Sequence, residues 1–394
     1  MMELKTKVYD KLKNLEQEMI ELRRHFHQYP ELSFEEVETP KTIAAFHKQL
    51  GLDVREHVGE RGVVATLKGG HPGPTIAIRA DFDALPIKEE TNLSYQSTVD
   101  GVMHACGHDA HTAIAMTVAQ ALVSIKEDLH GTVKFIHQHA EEQDPGGAKA
   151  MIEDGAIDGV DQIFCLHMEN YLPVGTIGET DGPILGASDD FFMTIEGKGG
   201  HAALPHDTVD ALSIGAQIVT QLNQLTSRKV DPMKQAVLTV GSFHSGDKAN
   251  VIAEKAYIEG TVRTFDETVR QEMSEWVKQV TDFTARAHGA KATIDYQFGY
   301  PATINDWETN QLMVGVATEI IGEENVIHLE PNMGAEDFSY FAEKIPATYF
   351  FLGSANKEKG CIHPYHHPKF MIDEDSLLIG AKILAGSILK ASVS

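Results

Sequence analysis

MHACGHDAHTAIAMTVAQALVSIKEDLHGTVKFIHQHAEE, residues 103–142, sets thiol, imidazole and carboxylate side chains at both ends of one helix and one strand. Ala110–Lys126 contains no Gly or Pro and carries apolar side chains around successive turns, which predicts a helix. Thr132–Gln138 is a short run of β-branched and aromatic residues opened by Gly131, which predicts a strand. A strand that is apolar without alternation is covered on both faces, as in a parallel sheet flanked by helices. The fold class that follows is α/β, with the polar cluster at the carboxyl edge of the sheet, where open α/β sheets hold ligands.

Outward from this stretch the alternation continues. Residues 5–28 read as an amphipathic helix ended by Tyr29-Pro30, and a second helix over 39–50 stops at Gly51. Val63–Leu67 and Thr75–Arg79 are β-rich runs separated by a turn at Gly69-Gly70-His71-Pro72-Gly73-Pro74. Gly146–Glu153 reads as a helix and Gln162–His167 as another apolar strand. The pattern changes near residue 185. Asp190–Glu196, Ala236–Gly241, Ala256–Thr264 and Ala292–Phe298 read as strands, with helices at Val209–Leu225 and Glu267–His288. This β-α-β-β-α-β order predicts a ferredoxin-like α+β unit. After Pro301 the α/β character returns and ends in a helix at Glu374–Leu389. The expected organisation is a mostly parallel, helix-covered catalytic domain from residues 1–184 and 300–394, interrupted by an inserted domain at 185–299.

The formal charge of −25 over 394 residues argues against nucleic acid or an anionic membrane as partner, since both need basic patches. The N-terminal stretch MMELKTKVYDKLKNLEQEMIELRRHF lacks the continuous apolar core of a signal peptide or membrane span. Three cysteines, Cys106, Cys165 and Cys361, form no disulfide framework and suit a reducing cytoplasm. Cys165 lies in an apolar run and reads as core filling.

The chemistry rests on several segments together. Cys106 and His108, on a loop entering the helix at Ala110, could converge on a metal ion, flanked by His104, Asp109 and His111. The same residues also read as a buried cysteine among loop histidines, or as a cysteine nucleophile with a histidine base and Asp109 as its orienter. Glu141-Glu142 follows a strand and is bracketed by His137, His139 and Asp144. Taken alone it is a solvated acidic pair, but two carboxylates this close need a cation or a shared proton. His167 ends another strand, Arg79-Ala80-Asp81-Phe82-Asp83 closes a third, and His363, His366 and His367 cluster near the C-terminus. Ligand-type residues at so many strand ends point to a metal-assisted hydrolase, with a metal-binding module lacking catalysis as the alternative from another class.

The segments RADFDALP, MHACGHDAH, AEE, LH, GGHAALPH, ANVIAE, GTVRTF, GAEDFS and HHPKF occur in this order, preceded by RRHFHQYPELSFEE at 23–36. Together they resemble the M20 metallopeptidase family, and within it the amidohydrolase branch of N-acyl-amino-acid amidohydrolases, hippurate hydrolases and auxin-conjugate hydrolases. The resemblance covers nearly the whole chain. It implies two divalent metal ions, with Cys106, His108, Glu142, His167 and His366 as ligands and Glu141 as general base. Asp83 matches an acidic residue behind the ligands, and His201 of the inserted domain matches a histidine that reaches into an active site, often that of a partner subunit. The inserted domain would then serve as a lid and homodimer contact. Arg263 would clamp a substrate α-carboxylate, a geometry its fork suits, with Asn250 adding a hydrogen bond. The sulfur, nitrogen and oxygen ligands suit Mn²⁺ or Zn²⁺ and accommodate Co²⁺ or Ni²⁺.

The implied reaction hydrolyses the amide of a small N-acyl-L-amino acid. Two cations would lower the pKa of a shared water toward about 7, and Glu141 would take its proton and return it to the leaving amine. A dipeptidase or aminopeptidase of the same family is the neighbouring alternative. Two positions depart from the family pattern. His139 stands where the branch often has proline, as an extra ligand or a tuning group, and the adjacent His366 and His367 leave the last ligand open by one residue, with His366 preferred by its spacing to Pro368.

Overall fold

The computed structural model describes residues 2–393; Met1 and Ser394, the outer ends of the expected catalytic domain, lie outside the described residues. The chain divides into two compact units. The first holds the N-terminal part to Ile184, Ile304–Glu330 and the chain from Asp337 onward; the second holds Leu185–Thr303 and Pro331–Glu336.

The first unit is built on an eight-stranded mixed sheet. Across it run Asp53–Val58, Gly62–Lys68, His130–Gln138, His71–Asp81, Gln162–Pro173, Ala347–Ala355, Ile177–Glu179 and Val326–His328. The four strands from His130–Gln138 to Ala347–Ala355 run parallel, and antiparallel neighbours flank them. Their apolar runs are buried, as doubly covered strands require. The helix His108–Val123 is buried at almost every position; it packs in one core with the sheet residues Ile78, Phe135 and Phe164 and with Leu377, Leu384 and Ile388 of the terminal helix Asp375–Ala391. Asp81 pairs with Gln138 and His167 with Phe351, so the ends of successive parallel strands open at one edge of the sheet.

Local differences from the sequence reading have identifiable causes. The N-terminal helix is two helices, Met2–Asn14 and Glu16–Gln28, because the Leu15 N–H is shared between the carbonyls of Lys11 and Leu12 at 3.1 Å each, which tightens the turn. The strand expected at Thr75 begins at His71, where His71 pairs with His130, so the connecting turn is shorter than its glycines and prolines suggest. The strand holding His167 runs on to Pro173.

The second unit is an antiparallel four-stranded sheet in the order Ala236–Ser245, Lys255–Thr264, Ala187–Glu196, Lys291–Phe298. Its helices Ala211–Arg228 and Glu267–Ala287 pack Ile214, Ile218, Met273 and Val277 against Phe191, Ile195 and Ile258. Asp210 and Asp266 cap these helices with side-chain bonds to the first-turn N–H groups. The strand read as ending at Gly241 continues to Ser245 through a register shift between Val240 and Ser242, a bulge that the glycine accommodates. No helix among the described residues is long and apolar enough to cross a membrane.

Candidate metal centre

The carboxyl edge of the first unit's sheet gathers the polar residues. His108 is the first residue of the helix His108–Val123, not part of a loop leading to Ala110. Gly107 before it has φ 92, and a Cβ there would lie 2.8 Å from the Met168 side chain, so this turn and close approach require glycine. The turn projects Cys106 and His108 to the same side although they are two residues apart.

His108 Nδ1 lies 3.0 Å from the Asp83 carbonyl and 3.1 Å from Asp83 Oδ1, so this nitrogen carries the hydrogen. Nε2 is thereby left with its lone pair, buried and without a hydrogen-bond partner among the described residues. It faces carboxylates: Glu142 Oε1 at 3.8 Å, Glu141 Oε2 at 3.9 Å and Asp81 Oδ2 at 3.8 Å. Burial by itself would disfavour the imidazolium, but the charges of Asp81, Asp83 and Glu142 outweigh it and raise His108 to about 10. A pocket arranged this way favours positive charge at Nε2, which a divalent cation provides in place of a proton.

The other donors converge on the same volume. His167 Nδ1 donates to the Met168 carbonyl at 2.8 Å, and its Nε2 lies 3.4 Å from Cys106 Sγ. Burial, joined by the charges of Glu142, Glu141 and Asp81, pushes the Cys106 thiol well above its ordinary range, so it ionises only opposite a cation. His366 has φ 63, its N–H is held by the Ala105 carbonyl at 2.7 Å, and its Nε2 stands 3.2 Å from Glu142 Oε1. His367 instead stacks on His363 and accepts the Lys369 N–H. Two triads result, Cys106–His108–His167 and Cys106–Glu142–His366, the donor atoms within each lying within 4.8 Å of one another. Cys106 belongs to both. Thiolate, imidazole and carboxylate arranged in two triads around one sulfur fit a pair of divalent cations.

Behind the donors lies a buried network that sequence reasoning assembled only in part. Asp83 Oδ2 accepts the Ser33 hydroxyl at 2.7 Å and the Glu142 N–H at 3.0 Å. Burial alone would raise the Asp83 carboxyl, but these bonds and His108 hold it low. Asp81 Oδ1 accepts from His111 Nδ1 at 2.6 Å, and His111 Nε2 accepts the Met168 N–H at 2.9 Å, which fixes a neutral His111 next to His167. Arg79, fully buried, bonds Asp81, Gln138 and Asp337. That the His111 ring lies beside that of His108, centroids 5.4 Å apart, was available from their i, i+3 spacing on one helix.

Other flanking residues have different tasks. Asp109, considered as the orienter of a cysteine nucleophile, is held by Arg23 Nε at 2.8 Å and His27 Nδ1 at 2.8 Å, so it does not orient a base for Cys106. His137 bonds His47, Nε2 to Nε2, at 2.8 Å. His139 packs on Phe34 and belongs to no donor group among the described residues; burial pushes it down to about 4.

The remaining candidates lie in the second unit. His201, in the two-residue strand Gly200–His201, pairs with Val251, and the Asn250 carbonyl accepts the Ala202 N–H at 3.1 Å. Arg263, half-buried, lies in Lys255–Thr264 opposite Ser188, and its Nη1 is buried with no hydrogen-bond partner among the described residues. The ladder from Arg263–Ser188 ends at Lys255–Glu196, and Gly200–His201 pairs with Val251–Ile252 as a separate two-stranded sheet beyond that end in the chain, so Arg263 lies at the end of its strand away from the segments that carry His201 and Asn250. The segment Lys255–Arg263 alone spans about 26 Å.

The family model of Peptidase family M20/M25/M40 matches residues 77–390. YhaA of Bacillus subtilis (strain 168) is 48% identical over 374 residues, covering 95% of this chain and 94% of its own. The N-acetyl-L-cysteine deacetylase of the same strain is 41% identical over 367 residues, 93% of this chain and 86% of its own. Among solved structures, the Bacillus subtilis YXEP protein, described as a dinuclear metal binding peptidase from the M20 family, superposes with a TM-score of 0.84 at 36% identity, covering 96% of this chain and 98% of its own.

Proposed function

The chain belongs to peptidase family M20/M25/M40 and is a metal-dependent amide hydrolase, and from that premise we propose that it cleaves N-acyl-L-amino acids to a carboxylate and a free amino acid. The observation that carries the metal part of this reading is the sharing of Cys106 by two donor triads with Glu141 beside them. Cys106, His108 and His167 would hold one divalent ion and Cys106, Glu142 and His366 the other, Zn²⁺ or Mn²⁺ by donor chemistry, with Co²⁺ and Ni²⁺ also accommodated. Bound there, the ions supply Lewis-acid polarisation of the amide carbonyl and a lowered pKa for water.

The protein's own groups do the rest. Glu141, buried, with its Oε2 3.9 Å from His108 Nε2, belongs to neither Cys106 triad and groups instead with His108 and Glu142. Its carboxylate would accept a proton from the attacking water and deliver it to the leaving nitrogen. Asp83 keeps the His108 hydrogen on Nδ1 and so keeps Nε2 a lone-pair donor throughout. Met168, held by His111, does the same for His167.

Recognition falls to the second unit. Arg263, with an unused guanidinium N–H, is suited to grip an α-carboxylate bidentately. His201 acts as donor to the developing oxyanion, and Asn250 adds a hydrogen bond to the substrate. The strand Lys255–Thr264 separates Arg263 from the segments of His201 and Asn250 by more than a small substrate's length, which supports the reading that one site takes them from different copies and that the working form is a homodimer. Three buried free cysteines favour a reducing cytoplasm as its location.

The test is free-amine release from N-acetyl-methionine, hippurate and a matched dipeptide, with Zn²⁺ or Mn²⁺ supplied. Release from the acylated amino acids and not the dipeptide is expected. Release from the dipeptide alone would move the enzyme to peptidase chemistry.

A further inference from the structure

We infer that Glu36 is a positioning residue for Glu141: it holds Ala140 in the left-handed backbone conformation that sets the direction of the Glu141 side chain, while Glu142 is anchored by its own N–H to Asp83. Ala140 has φ 52, a region that L side chains rarely occupy, and it is the link between the parallel strand ending at Gln138 and Glu141. The Ala140 N–H donates to Glu36 Oε1 at 2.9 Å, and the Glu36 side chain is wholly enclosed in protein. The segment ELSFEE, whose role the donor cluster leaves unexplained, supplies more of the same support. The Glu31 carbonyl accepts the Ala84 N–H at 2.8 Å, Ser33 bonds Asp83, and Phe34, itself at φ 63, packs its ring 5.9 Å from that of His139. Residues 31–36 therefore brace both loops that carry the centre, at 83–84 and at 139–140. Two non-glycine residues in the left-handed region, on segments packed together beside a candidate active site, are the kind of strain that surrounding contacts must maintain.

Glu36 is held from its other side by Arg61, whose Nη1 donates to the Glu36 carbonyl at 2.9 Å while Nε stays 3.8 Å from Oε2. Burial, then the nearby charge of Asp83, raises the Glu36 carboxyl to about 8. A neutral carboxyl still accepts an N–H on its carbonyl oxygen, so the task needs an acceptor and not a charge. Glutamine should perform it; alanine cannot.

The inference rests on the role of Glu141 as base, and the experiment separates the two. Glu36→Ala, Glu36→Gln, and Ala140→Gly with and without Glu36→Ala are compared for kcat, KM, bound metal per chain and hydrogen exchange at the Ala140 amide. Glu36→Ala should lose on the order of 100-fold in kcat through misplacement of Glu141, with KM and bound metal unchanged and Ala140 exchange accelerated. Glu36→Gln should stay within about threefold of the parent and keep the slow amide, since it retains the bond. Ala140→Gly should restore about tenfold to Glu36→Ala, because glycine reaches positive φ without steric cost. Undiminished kcat in Glu36→Ala, equal losses for Gln and Ala, metal loss in parallel with kcat, or no glycine rescue would each overturn it. Should Glu36→Ala not fold, a fast-exchanging Ala140 amide in the unmodified protein overturns it as well. If Glu141→Gln turns over normally, the base assignment fails; if that variant is inactive while Glu36→Ala is fully active, only the present inference fails.

Discussion

His108 donates from Nδ1 to Asp83, with the side-chain oxygen at 3.1 Å and the backbone carbonyl at 3.0 Å, and this bond decides which imidazole nitrogen faces the Cys106 triads. Asp83→Asn keeps the shape but can present an amide N–H to Nδ1, favouring the wrong tautomer. Metal affinity should fall about 10- to 100-fold, as for other residues that orient ligands, and chelator competition would measure it. Unchanged affinity would mean that Asp83 serves only its bonds to Ser33 and Glu142.

Asp109 is a structural anion. It is fully buried and receives Arg23 and His27, both of which are also fully buried. Removing its charge leaves the Arg23 guanidinium enclosed and underpaired, so Asp109→Asn should destabilise the protein by about 3–5 kcal/mol. Urea denaturation reads this directly. Were Asp109 the orienter of a nucleophilic cysteine, the variant would lose turnover with little change in stability.

Stability should depend on pH through the His47–His137 pair. Burial pushes His47 down to about 3, and His137 is also lowered, chiefly by burial. In the unfolded chain both would titrate near the ordinary histidine value, about 6.5. Above that pH neither state binds the extra proton and the pair is silent. Below it the unfolded state takes up protons that the folded state refuses, so stability falls with pH from about 6.5 toward about 3. Each histidine adds a slope of up to about 1.4 kcal/mol per pH unit. His47→Leu should flatten this acid limb in urea midpoints compared with the parent; an unchanged slope would show that His47 is protonated when folded.

The proposed division of recognition between copies would have its own signature. His201→Ala and Arg263→Ala should each be nearly inactive alone. Mixed under conditions of subunit exchange, they should regain activity, because a hybrid dimer holds one site with Arg263 from one copy and His201 from the other. No recovery despite demonstrated exchange would place both residues at one copy's site or at none.

Much of this was legible in the chain because it is written in local pattern. The apolar run at 132–138, the helix after residue 110 and the ferredoxin-like order beyond 185 depend on periodicity and turn residues close in sequence. Boundaries slipped where tertiary contacts overrode local signals: Gly241 reads as a strand end but sits in a bulge, and the prolines after Gly70 read as a turn but enter a strand. Site residues could be gathered as types, yet not sorted by task. His137, His139 and Asp109 look as ligand-like as His108 does. Only long-range partners distinguish them: His47 for His137, Phe34 for His139 and Arg23 for Asp109. Glu36 illustrates the same limit, since its relation to Ala140 spans 104 residues.

The central claim is a two-ion centre organised by Cys106 with Glu141 as its base, and titration of metal-stripped protein tests it most directly. Zn²⁺ or Mn²⁺ is added in steps while bound metal and hydrolysis of an N-acetyl-amino acid are followed in the parent and in Glu141→Gln. The account predicts saturation at two ions per chain in both proteins, with turnover rising to that point in the parent and lower by about 100-fold or more in Glu141→Gln. Activity that survives complete metal removal, or a Glu141→Gln protein that no longer binds the ions, would contradict it.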